Sequence, residues 1–150
     1  MDRLLNYKPD SESSKLLLEQ YKLYVEMADR ISQRRGTANT FYISINAVIL
    51  TFTSWSAEKF GNLIWLISLV GILLCISWFF TIRSYQQLNS GKFKVIHEIE
   101  KELPLNVFDY EWSILKEGRS FNSYWPLANI ECIVPFVFFV LYVVLWVIIC

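Results

Sequence analysis

One histidine, His97, is all the imidazole in this 150-residue chain. That excludes a metal site or a proton relay built from several histidines. It also removes the nuclease motif in which an arginine precedes a histidine by a few residues. Lys92 and Phe93 stand before His97, and the nearest upstream arginine is Arg83. Cysteine is scarce and unpatterned. Cys75, Cys132 and Cys150 each lie in or beside an apolar run, at spacings that fit no zinc or redox motif. Glycine is sparse, and no phosphate-cradling loop or Gly-x-Ser-x-Gly elbow is formed. The acids Glu98, Glu100, Glu102, Asp109 and Glu111 read as a solvated face. The expectation is a protein that is not an enzyme and holds no cofactor. The formal net charge is zero, which removes any bulk attraction to nucleic acid.

What the chain has in quantity is apolar surface. Hydrophobic residues make up 54% of it and aromatics 17%, more than an ordinary soluble domain carries. Residues 131–150 contain no charge after Glu131. At about 1.5 Å per residue, a helix of that length spans roughly 30 Å, the hydrocarbon thickness of a bilayer. Residues 63–82 form a second such run, bounded by Asn62 and Arg83. A third, 41–55, is interrupted by Ser44, Asn46, Thr51, Thr53 and Ser54. The short connection 56–62, with Gly61, suits a tight hairpin. The first fifteen residues hold no apolar stretch ahead of a small-residue cleavage site, so a cytoplasmic N-terminus is expected.

Basic residues orient the chain. Seven precede the first run (Arg3, Lys8, Lys15, Lys22, Arg30, Arg34, Arg35), Lys59 lies in the hairpin, and six separate the second run from the third (Arg83, Lys92, Lys94, Lys101, Lys116, Arg119). With three crossings, all but Lys59 fall on one side, a strong positive-inside pattern. The expected fold class is all-α, a single membrane domain over 1–150. It comprises a cytoplasmic amphipathic helix (11–38), a first span (39–57), a second (62–82), a cytoplasmic helical segment (83–125) and a last span (128–150). The C-terminus is then expected outside.

Within that layout, Leu17, Tyr21, Tyr24, Ala28 and Ile31 repeat at helical spacing and predict a packing seam ahead of the membrane. Gly36 either loosens the join to the first span or the helix runs on. Pro104 is expected to end the helix that continues the second span, and a short helix is expected near 110–117, stopped by Gly118. In the first span, Phe41, Ile45, Val48, Phe52 and Trp55 share one face. Asn39, Asn46, Thr53, Thr40, Ser44, Thr51 and Ser54 occupy the other half. Lipid disfavours that polar half, so it faces either neighbouring helices of the same subunit or an aqueous path shared by several subunits. On the second reading Asn39, Asn46 and Thr53 line the path. Ser68, Gly71 and Cys75 make a small-residue strip suited to close helix contact. Glu131, at the entry to the last span, is either a gating acid or an interfacial carboxylate favoured by a helix N-terminus.

Two blocks carry a resemblance. YKLYVEMADRISQRRGTANTFYISIN covers 21–46; RSYQQLNSGKFKVIHEIEKELPLNVFDYEW covers 83–112, and IECIVP follows at 130–135. Together they resemble the RipA-like family of small octameric bacterial inner-membrane proteins. More distantly, the layout is similar to the membrane-pore accessory proteins of CRISPR and other antiphage systems. The resemblance implies a ring of subunits, an octamer, with the bilayer and further copies of the chain as partners. By that analogy the ring opens a pore and depolarises an infected cell. The matching Arg34, Arg35, Arg83 and Asn89, near the membrane–cytoplasm junction, become candidates for subunit or junction contacts. The alternative is a non-conducting scaffold that recruits a cytoplasmic partner.

Overall fold

The structure, a computed structural model, describes residues 11–56, 64–115 and 130–149. Four helices occupy them: α1 (Ser11–Ser56), α2 (Ile64–Glu100), α3 (Val107–Ile114) and α4 (Ile133–Ile149). There is no strand among the described residues. The hairpin connection with Lys59 and Gly61, the Gly118 stop, Pro126 and Cys150 lie outside them. The chain divides into two compact units. The first is Met1–Gln33 with Gln87–Trp125, the second Arg34–Gln86 with Pro126–Cys150.

The join at Gly36 is settled by continuity. α1 is one helix of 46 residues, and a side chain at Gly36 would meet open space. The glycine is therefore no steric requirement. α2 likewise continues past its apolar half without interruption. It stops at Glu100, and two i→i+3 bonds tighten the turn that follows, Glu102 N–H to Ile99 O at 3.1 Å and Leu103 N–H to Glu100 O at 3.0 Å. Pro104, with no N–H to give, lies just beyond.

In the first unit the anticipated seam is the one that packs. Leu17, Ala28 and Ile31 are buried, as are Ile96 and Ile99 in the last turns of α2. α3 begins three residues earlier than the sequence pattern indicates. The reason is Glu100. Its carboxylate is fully buried and accepts hydrogen bonds from Phe108 N (3.0 Å) and Asp109 N (3.2 Å), while Tyr21 O–H donates to it at 2.8 Å. Asn106, just before α3, makes no side-chain capping bond. The cap is thus supplied from α2, satisfying free N–H groups at the helix start and placing negative charge where the helix dipole favours it. The expectation that Glu100 belongs to a solvated face is corrected here. Phe108 packs beside this cluster, its ring 6.5 Å from Tyr21 and 5.7 Å from Phe93.

In the second unit, α2 is the one described helix long and apolar enough to cross a membrane, with a mean hydropathy of 2.3 over its best 18 residues. α4 is uniformly apolar but shorter, at 17 residues. Pro135 sits in its first turn, where a proline is tolerated. The outer surface of this unit is hydrocarbon: Phe41, Val48, Phe52 and Trp55 on α1 are exposed, as are Leu69, Leu73 and Phe80 on α2, and Phe136, Val140 and Val147 on α4.

Candidate functional site

The inner face of α1 in the second unit carries a polar line. Arg35, Asn39, Asn46 and Thr53 follow one another at spacings of four, seven and seven residues. At about 100° per residue they stay within roughly 40° of one another. Each meets something different. Arg35 Nε lies 3.0 Å from Glu131 Oε2, with both side chains largely covered. The contact is an ion pair rather than a hydrogen bond, because neither atom has a partner in hydrogen-bonding geometry. Asn39 Oδ1 accepts from the indole N–H of Trp78 at 2.8 Å. Asn46 is completely buried; its Nδ2 donates to Tyr42 O at 2.8 Å, and the Cys75 thiol points at its Oδ1 from 3.8 Å. Thr53, also buried, donates to Ile49 O at 2.7 Å.

Aromatic side chains close the line. Trp78, buried on α2, stacks on Tyr42 with ring centroids 5.6 Å apart and planes 6° from parallel. Its other side meets Phe138 of α4 at 6.0 Å. The Tyr42 hydroxyl lies 3.1 Å from Ser77 Oγ and 3.3 Å from Thr81 Oγ1. Tyr142 of α4 joins all three helices of the unit. Its ring covers Gly71 so closely that a Cβ on that glycine would overlap it, and its O–H donates to the backbone carbonyl of Asn46 at 3.4 Å. The strip Ser68, Gly71, Cys75 therefore does what small residues do in lipid: it lets a bulky neighbour reach the backbone.

The polar half of the first span splits in two. Asn39, Asn46 and Thr53 turn inward and are used up by their own subunit. Thr40, Ser44 and Thr51 remain exposed on its surface, and Ala47 continues their strip. Thr40 and Thr51 donate to the carbonyls one turn back, Gly36 at 3.1 Å and Ala47 at 2.8 Å. Of the other anticipated residues, the structure pairs Arg35 with Glu131 and leaves Arg34 and Arg83 exposed. Asn89 belongs to the first unit and has a covered Oδ1 without a hydrogen-bond partner among the described residues. Tyr142 was not anticipated, although it is the lone hydroxyl in α4 and a hydroxyl in an apolar helix needs an acceptor.

The unit has one groove of note, about 550 Å³, between α2 and α4, lined by Cys75, Phe79, Cys132, Pro135 and Phe136 among others. Its walls offer hydrocarbon and little else, so it suits an acyl chain and no polar substrate.

A helical unit with a mostly hydrocarbon exterior and with Asn46, Thr53 and an ion pair inside defines the class: a helical membrane protein. The sequence pattern of the octameric membrane protein family (8xMP) matches residues 18–150. The chain belongs to that family and is thus a membrane protein that assembles with copies of itself. No curated protein and no solved structure matches it.

Proposed function

We propose that the chain is the repeating subunit of a homo-oligomeric, channel-like assembly in the bacterial inner membrane. Each subunit crosses three times, through residues 39–57, 62–82 and 128–150, with its N-terminus in the cytoplasm. The asymmetry of lysine and arginine supports that orientation. The path runs between subunits. The observation that carries this reading is the hydroxyl strip Thr40, Ser44 and Thr51, exposed on an otherwise apolar α1 surface. It takes over the lining role expected of Asn46 and Thr53, which are buried within the subunit. Solute passage through such a path requires no catalytic step and no cofactor. The proposed setting is antiphage defence, as for the accessory pores that the layout resembles, with RipA-like proteins as the nearer likeness.

Liposomes holding the purified assembly are expected to release a trapped small dye. Ser44→Leu with Thr51→Leu is expected to abolish release while leaving the oligomer intact. Unchanged release from that variant removes the strip from the path. The second reading, a non-conducting scaffold with a cytoplasmic partner, is favoured by the burial of Asn46 and Thr53 inside the subunit and by the bond of Asn39 to Trp78. Vesicles that stay sealed at high protein density select it.

A further inference from the structure

The exposed apolar side chains of the second unit lie on runs that hydrocarbon covers. Those of the first unit do not. On α1, Leu16, Leu23 and Met27 are exposed, Leu23 by 55%. They fall on an arc of about 40°, centred about 100° from the packed seam of Leu17, Ala28 and Ile31. Lys15, Glu19, Lys22 and Glu26 follow one another along the same stretch of helix and are exposed as well. Four charges at that density keep this stretch out of lipid. On α3, Val107, Tyr110 and Ile114 share an arc of about 60° and are also exposed, Tyr110 by 69%. Phe108 turns the other way, toward Tyr21 and Phe93. These are two separate apolar faces on one small unit, and neither is covered among the described residues. Patches of this kind mark protein contacts.

A second copy is the occupant the molecule supplies, because the chain belongs to an octameric family. A closed ring repeats one heterologous contact, in which two different surfaces of the same chain meet. Two unlike faces are what that requires. At their edges the Lys92 ammonium lies 3.9 Å from Met27 Sδ, and Glu111 is exposed beside the α3 face.

We infer that neighbouring subunits meet head to tail in the first unit, the Leu16–Leu23–Met27 flank of α1 in one copy packing on the Val107–Tyr110–Ile114 face of α3 in the next. The inference rests on the family's octamer and not on conduction, so a sealed vesicle leaves it untouched.

Disulfide trapping tests it. In a background of Cys75→Ala, Cys132→Ala and Cys150→Ser, shown by native mass to be octameric, Leu23→Cys and Tyr110→Cys chains are expressed together and oxidised in the membrane. A covalent dimer is expected from the mixture, and none from either variant alone. A dimer from one variant alone means like faces meet and overturns the head-to-tail arrangement; no dimer from the octameric mixture overturns the contact. Charge reversal is the second measurement, in the chain with its native cysteines. Leu23→Lys or Tyr110→Glu alone is expected to dissociate the octamer, and the two together to restore it. An octamer unaffected by either single change removes both faces from the interface.

Discussion

The two units handle polarity in opposite ways. In the first, charges coat the outside of α1 and one carboxylate, Glu100, is taken inside. In the second, the outside is mostly phenylalanine, valine, leucine and tryptophan, while Asn46, Thr53 and an ion pair are inside. The same physical rule governs both. A polar group away from water needs a partner, and an apolar group toward water needs cover. What differs is the solvent each surface is built to meet.

The contrast is broken hardest at its buried charges. Glu100→Leu removes a fully buried carboxylate together with three hydrogen bonds. At about 1.5–3 kcal/mol for a bond to a charged group, with partial compensation by the apolar replacement, a net loss of about 3 kcal/mol is expected. Hydrogen exchange at the Phe108 and Asp109 amides reads it, and the second unit's amides should stay protected. Next comes the ion pair. Glu131→Lys sets two cations against each other where Arg35 now has an anion at 3.0 Å. Breaking so covered a pair costs about 3 kcal/mol. Adding Arg35→Glu should recover most of the loss in a thermal-stability assay, if pairing rather than either residue alone is what matters. Gly71→Ala inserts a methyl group where the Tyr142 ring lies. A loss of about 1–3 kcal/mol is expected from the overpacking, relieved by Tyr142→Leu. Tyr142→Phe alone deletes one long bond of 3.4 Å. Interhelical bonds in membranes average about 0.6 kcal/mol, so this change should sit near the limit of a denaturation measurement.

The first unit also has a titration that reports on its buried carboxylate. Burial, the hydrogen bond to Glu100 and that carboxylate's charge push the Tyr21 phenol up to about 12. The folded form therefore holds its proton more tightly than the unfolded chain does. The Tyr21–Glu100 contribution is fully present below pH 10 and is lost as pH rises toward 12. Difference spectroscopy should show Tyr21 ionising after the exposed tyrosines, and Glu100→Gln should bring it earlier.

Much of this architecture was legible in the residues. The seam of Leu17, Tyr21, Tyr24, Ala28 and Ile31 is a matter of spacing, and spacing survives folding. The apolar runs announce helices whose outer surface is hydrocarbon. The strip Ser68, Gly71, Cys75 declares a close approach, but only the fold reveals that Tyr142 fills it. Glu100 looked like any acid in a charged stretch, because its partners come from helices on either side of it in sequence: Tyr21 on α1, and the amides at the start of α3. The start of α3 was misplaced for the same reason. The division of the first span's polar half was also hidden. Thr40, Ser44 and Thr51 differ from Asn39, Asn46 and Thr53 by a rotation on the wheel that only packed neighbours make meaningful.

Tyr142 has one more consequence. α4 is so evenly apolar that its side chains give little reason to prefer one rotation about its axis over another, and a featureless cylinder is free to spin. The phenol in the Gly71 slot removes that freedom. One residue inserted between Pro135 and Tyr142 would swing the ring by about 100°, out of the slot and away from the Asn46 carbonyl. The azimuth of the last helix is thus counted in single residues from its proline, and a deletion there should misalign an otherwise intact helix.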